Sequence, residues 1–167
     1  LQQGLDGTAL AMEQLREQVN ISGQLQQMMG RGTEFRGQQS SEIRAVVVWD
    51  KPIIQITSTG GRKSLSFMLP AYCPPEGITI VIVPLVALQL DLFKRCMKLK
   101  ITAHIWKSGQ GNPAVSVLFV MPEAAVTVGF DELVRRLQNR GVLDRVVVGE
   151  CHTVLDGDFR PKLEGWM

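Results

Sequence analysis

The sequence predicts an α/β protein with a mainly parallel sheet flanked by helices. Three observations carry this. First, five short runs are β-branched and apolar without alternation: "PIIQITS" (52–58), "ITIVIVP" (78–84), "AHIW" (103–106), "VSVLFVM" (115–121) and "RVVVGE" (145–150). Continuous apolar runs suit strands covered on both faces, as in a parallel sheet. Second, the stretches between them carry apolar residues at helical spacing. Third, strand and helix alternate along the chain, the pattern of a sheet wound with crossover helices.

Each element has a local reason. Residues 1–30 read as helical, with Leu10, Met12, Leu15, Val19, Leu25 and Met28 recurring at roughly helical spacing; Gly30, Arg31 and Gly32 break the run. A second helix is expected from Gln39 to Val47. "KSLSFMLPA" should be the helix after the first strand, and "LVALQLDLFKRCMKLK" the helix after the second. "FDELVRRLQNRG" precedes the last strand and ends on a capping glycine, Gly141. No internal repeat or low-complexity linker interrupts this order.

Composition narrows the function. A chain of 167 residues with 45% hydrophobic residues can build one substantial core and is not broadly disordered. Its net charge of +2 permits a nucleic-acid partner without requiring one. Cys73, Cys96 and Cys151 are odd in number and far apart, with no Cys-x-x-Cys pair. A cysteine zinc site is therefore not expected, and a reducing compartment is. No run of about 18 apolar residues is present, so no membrane partner is expected. The chain opens on Leu1 rather than Met, which leads to the expectation of a fragment.

The strongest chemical feature is "TSTGGRKS", Thr57 to Ser64, between a strand and a helix. Glycines let backbone N–H groups turn toward phosphate oxygens, and the helix start adds partial positive charge. Thr59, Gly60, Gly61 and Arg62 would form the loop, Lys63 would reach the β- and γ-phosphates, and Ser64 would hold Mg²⁺. A phosphate loop of this kind has Gly directly before the Lys; this chain has Arg62, which either crowds the phosphates or adds a cation to them. The simpler reading is a Gly-Gly turn before a helix.

Taken together, the motifs resemble the first RecA-like domain of superfamily 2 helicases, specifically RecQ-type DNA helicases of the DEAD/DEAH-box kind. The resemblance covers roughly residues 25 to 165. "EFRGQQ" (34–39) resembles the adenine-recognition motif, "STGGRKSLSFMLPA" motif I, and "VIVPLVALQLDL" (81–92) motif Ia. "VLFVMPEAAV" (117–126) resembles the Thr-Pro-Glu motif with Met121 in the threonine's place; "VVVGECH" resembles motif II, and "DFRPKL" (158–163) the segment after it. Six motifs in the family's order make the resemblance strong.

The resemblance implies roles and partners. Gln39 would read the adenine edge, with Phe35 and Arg36 framing the base. Glu150 would orient the attacking water with Lys63 on the phosphates, and His152 would couple the nucleotide to nucleic acid. Pro84, Leu85, Pro122 and Glu123 would track the backbone of a single strand. ATP and Mg²⁺ are the implied cofactors, single-stranded or partly duplex DNA the implied partner, and the nucleus, or otherwise the cytoplasm, the implied location. Residues 31–167 would be a partial ATP-binding domain and 1–30 a helical segment before it. The second RecA-like domain, with its arginine finger, would be a partner half outside these residues; such in-trans arginines are worth about 10³–10⁵ in rate.

Simpler readings stand beside these. Phe35 could be a core anchor and His152 a surface or capping residue. The basic runs Lys94-Arg95-Lys98-Lys100 and Arg135-Arg136-Arg140 read as solvated helix faces rather than a DNA track. Trp49, Trp106 and Trp166 show no stacking pattern.

One departure bears on chemistry. Where motif II carries an Asp that anchors Mg²⁺, this chain has Gly149. Asp144 lies on the same strand roughly 16 Å away, at about 3.3 Å per residue, and cannot replace it, while Asp156 and Asp158, in a loop expected beyond the strand, stay open as replacements. Losing one preorganised charged group commonly costs about 10²–10³ in rate. Three readings follow: part of an ATP-dependent RecQ-like 3′–5′ helicase that is inactive as this chain alone, a catalytically dead nucleotide- or nucleic-acid-binding relative, or an unrelated P-loop kinase.

Overall fold

The computed structural model describes residues 11, 14–48, 53, 63–74, 77–109, 111 and 114–149. The chain divides into two compact units, Leu1–Glu76 and Gly77–Met167.

In the first unit the described helices are α1 (Ile21–Met29), α2 (Gln39–Val48) and α3 (Leu65–Tyr72). The single helix expected over 1–30 is not continuous. Residues 14–17 are helical, the chain leaves the helix at 18–20, and α1 starts afresh after Asn20. The reason is local: the Asn20 carboxamide accepts a hydrogen bond from Gly23 N at 3.0 Å. A side chain that caps this way competes with continued helix at its own position. The expected break after α1 is present, with Gly30 at φ 109°.

α1 buries Ile21, Leu25 and Met28 on one face, and α2 buries Ile43 and Val47. α3 is different: Leu65, Phe67, Met68, Leu69, Pro70 and Ala71 are all buried, and it packs against both other helices. A helix apolar nearly all round has to be the central one. The Arg44 guanidinium donates to Val19 O at 2.8 Å, tying α2 to the approach to α1. The strand expected at 52–58 lies outside the described residues, apart from Ile53.

The second unit is a four-stranded parallel sheet in the order β2-β3-β1-β4. Its strands are β1 (Ile78–Ile82), β2 (Ala103–Ile105), β3 (Val117–Val120) and β4 (Leu143–Val148). Helix α4 (Val86–Lys98) follows β1, and α5 (Pro122–Ala125) and α6 (Val128–Asn139) follow β3. The central strands β1 and β3 are buried at every position, as their unbroken apolar sequences predict. The last strand starts at Leu143, two residues earlier than expected, and ends at Val148.

The core has a simple geometry. Ile78, Ile80 and Ile82 alternate along β1 onto one face, with Leu118 and Val120 beside them. Phe130, Leu133, Val134 and Leu137 of α6, at i, i+3, i+4 and i+7, complete the cluster. Trp106 belongs to it as well, meeting Phe130 edge to face with ring centroids 5.0 Å apart. This tryptophan is a packing residue.

β4 carries a bulge. Ile78 pairs with Leu143, but the next pair is Thr79 with Arg145, so Asp144 is the extra residue. Leu143, Val146 and Val148 therefore all reach the same core, which strict alternation forbids. Asp144 and Arg145, both buried, form an ion pair at 2.7 Å. Gly77 makes room for it: a Cβ at this position would sit 2.7 Å from Asp144 Cβ.

Candidate nucleotide site

Lys63 and Ser64 open α3. Lys63 is exposed and Ser64 half-buried. The first turn is closed by backbone and by Ser66, whose hydroxyl donates to Lys63 O at 2.6 Å, while Met68 N donates to Ser64 O at 3.0 Å. Ser64 adopts helical dihedrals and its hydroxyl makes no capping bond. An ammonium and a hydroxyl unused by the helix thus sit at its positive end. Thr59, Gly60, Gly61 and Arg62 lie outside the described residues.

The residues expected to read adenine form a small closed turn. Arg36 N donates to Gln39 Oε1 at 2.9 Å, and Gln39 N donates back to Arg36 O at 3.1 Å. Gly37, at φ 54°, supplies the left-handed step between them. This is the reciprocal logic of a capping box, with Gln39 reaching back over the start of α2. The turn holds the Gln39 carboxamide in place, and Phe35 beside it is half-buried.

In the second unit the register brings the remaining described candidates together. Ile82 pairs with both Val120 and Val148, so the segments after β1, β3 and β4 leave the sheet at one level. Pro84 and Leu85 follow β1, Pro122 and Glu123 open α5 after β3, and Gly149 follows β4. Leu85 is 59% exposed and Glu123 is exposed. The carboxyl edge of a parallel sheet is where ligands bind in open α/β folds. Glu150 and His152 lie outside the described residues.

Gly149 itself is well defined. Its N–H donates to Ile82 O at 2.9 Å, continuing the β4–β1 ladder. Its φ is not in the left-handed region, and an added Cβ would meet only Ile82 O, at 3.4 Å. The backbone does not demand glycine, and among the described residues a Cβ at 149 meets no closer contact than that. Asp144 sits at the amino end of β4, bound to Arg145, and does not substitute.

Sequence reasoning singled out Asp144 only as too distant; its pairing with Arg145 and the need for Gly77 have no local sequence sign. The two described cysteines are buried thiols, and burial pushes Cys96 up to about 12. It stays protonated and unreactive in the fold.

The model of the DEAD/DEAH box helicase family matches residues 36–167. The chain belongs to the DEAD/DEAH box helicase family. Within it the chain is RecQ-like. It is 34% identical over 139 residues to the ATP-dependent DNA helicase Q5 of Rattus norvegicus, covering 74% of this chain and 14% of that protein. It is 32% identical over 145 residues to the RecQ-like DNA helicase blm-1 of Caenorhabditis elegans, covering 77% and 14%. The ATP-dependent DNA helicase RecQ of Pasteurella multocida is 30% identical over 142 residues, covering 77% and 22%. The chain thus spans about a seventh of the length of the first of these relatives. The parallel sheet with flanking helices agrees with a partial RecA-like helicase domain.

An ATP-dependent helicase family implies ATP and, with it, Mg²⁺. The described residues of this RecQ-like chain fit the nucleotide: a lysine and an unengaged serine lie at one helix start. For the metal, Ser64 is the described candidate, and Glu150, Asp156 and Asp158 lie outside the described residues. Among the described residues no three His, Cys, Asp or Glu side chains are grouped to hold a cation. The position of the motif II acid is the side-chain-free Gly149. Among the described residues no helix is long and apolar enough to cross a membrane.

Proposed function

We propose that this chain is the ATP-binding part of a RecQ-like 3′–5′ DNA helicase that holds nucleotide and nucleic acid but does not hydrolyse ATP by itself. Residues 31–167 act as the partial ATP-binding domain and residues 1–30 as a helical segment before it. Lys63 and Ser64 grip the phosphates with the loop Thr59–Arg62, and Gln39, Phe35 and Arg36 take the adenine. Pro84, Leu85, Pro122 and Glu123 follow a single DNA strand, and His152 couples it to the nucleotide. Its working compartment is the nucleus, and a second RecA-like domain is its natural partner.

One observation carries the inactive half of this reading. Gly149 has an intact ladder bond and a backbone that does not require glycine, so the missing acid removes a charge without removing the architecture. Glu150 alone has to choose between orienting water and approaching the metal. A loss of about 10²–10³ in rate is the expected scale for one such group.

The test is titration of a fluorescent ATP analogue, with and without Mg²⁺, on the chain and on Gly149→Asp. Binding by both, with magnesium tightening it only in Gly149→Asp, is the expected result. No binding by either chain sinks the reading. Single-strand-stimulated ATP hydrolysis by the unaltered chain would refute its inactive half.

A further inference from the structure

Helix α4 carries two apolar lines, and the fold uses one. Gln89, Leu92 and Cys96 are buried. The second line is Val86, Leu90, Phe93 and Met97, at i, i+4, i+7 and i+11, one face of a helix by its 3.6-residue repeat. Val86 is 59% exposed, Leu90 43% and Met97 54%, with Phe93 half-buried; Leu85 adjoins them at the helix start. Val86, Leu90 and Met97, three of the eight exposed large hydrophobics among the described residues, fall on this one line, so it is a patch and not scatter.

Charge along its flank has one sign. Lys94 and Lys98 stand beside the stripe, and Lys100 follows the helix. Residues 86–100 contain a single acid, Asp91, and it is held by Arg95 at 2.8 Å. Among the described residues Lys94, Lys98 and Lys100 have no ion-pair partner.

We infer that this face of α4 docks an acidic amphipathic helix of another protein. Three apolar turns fit a partner helix laying i, i+3, i+4 and i+7 anchors along the stripe, with Glu or Asp beside Lys94 and Lys98. Charge complementarity selects this occupant over the alternatives. A second copy meeting this face with the same face brings the same lysines, and its one acid there, Asp91, is held by Arg95. DNA neutralises the lysines and leaves the apolar line in water. The face uses none of the residues assigned to the nucleotide, so the inference holds whether or not the chain binds ATP.

The probe is a fluorescein-labelled designed helix with leucines on one face and glutamates on its flanks. The controls are its lysine-flanked counterpart and a single-stranded oligonucleotide. All are titrated by anisotropy against the whole chain, Leu90→Ser, and Lys94→Glu/Lys98→Glu. The expected result is binding of the acidic helix only, weakened about tenfold or more by either variant and by added salt. The altered side chains are solvent-exposed, and unchanged thermal melts confirm that each variant is folded. Equal binding of both helices, or binding of the acidic helix that ignores either variant, overturns the inference. So does sedimentation of the chain as a dimer that Leu90→Ser dissociates. Oligonucleotide binding lost in the lysine variant with no acidic-helix binding assigns the face to nucleic acid instead.

Discussion

The start of α3, in the first unit, and the end of β4, in the second, are the two described places to which the proposed reading assigns nucleotide chemistry. They have fared differently. At α3 the backbone and the side chains both remain: a helix start, Lys63, and a Ser64 hydroxyl that the helix leaves unused. At β4 the backbone remains and the side chain is gone: Gly149 keeps its bond to Ile82 and offers no acid. A strand end is held by its ladder and by the core beneath it, neither of which involves the side chain at 149. Chemistry can therefore be lost there without loss of fold. Under the proposed reading the lysine end has no such separation in function, because its charge would be the grip.

This contrast can be attacked from the structural side first. Phe130→Ala removes a fully buried ring from the core under β1 and β3 and should cost about 3–5 kcal/mol in urea denaturation. Gly149→Asp should change stability by less than about 0.5 kcal/mol, as substitutions clear of buried features do. If Gly149→Asp proves as damaging as Phe130→Ala, the strand end is not architecturally neutral. Lys63→Ala comes next: it should weaken nucleotide binding by about 10²-fold, the scale of a charge-assisted phosphate contact, without moving the melting temperature. Retained affinity would mean that α3 does not hold phosphate. Gly77→Ala, pressed against Asp144, should destabilise by about 1–3 kcal/mol through overpacking. A neutral result would show that the Asp144–Arg145 bulge is soft.

A further modest effect concerns two helix ends with the same motif. After α6, Gly141 sits at φ 65°, its N–H bonded to Gln138 O at 2.9 Å and Val142 N to Leu137 O at 3.1 Å. After α4, Lys100 takes the equivalent place at φ 60°, with Lys100 N to Met97 O at 3.1 Å and Ile101 N to Cys96 O at 2.9 Å. Both are Schellman ends, and only one uses glycine. Gly141→Ala should cost, and Lys100→Gly should gain, about 1 kcal/mol by thermal melts.

Much of this was readable locally. The four described strand runs, the Gln39 helix start, the Gly141 cap and the order of the motifs all follow from patterns within a few residues. The single helix over residues 1–30 did not hold, because apolar spacing continues past Asn20 while its side chain breaks the backbone pattern. The basic runs read as solvated faces, and within them Arg95 and Arg135 make exposed pairs with Asp91 and Asp131. The site residues were legible only as a motif order. Residues 83–85, 121–123 and 149 share a sheet edge through register, and no window of sequence contains register.

The amino-acid sequence alone determined the α/β alternation, the helix ends, the family and the absence of an acid at 149. Each depends on residue identity or short-range spacing. Tertiary structure decided the strand order β2-β3-β1-β4, the bulge that lets Leu143 and Val146 share a core, and which of two apolar lines on α4 is buried. These depend on pairing between distant segments. A helical period marks both lines of α4 equally, and only the sheet beside it chooses one.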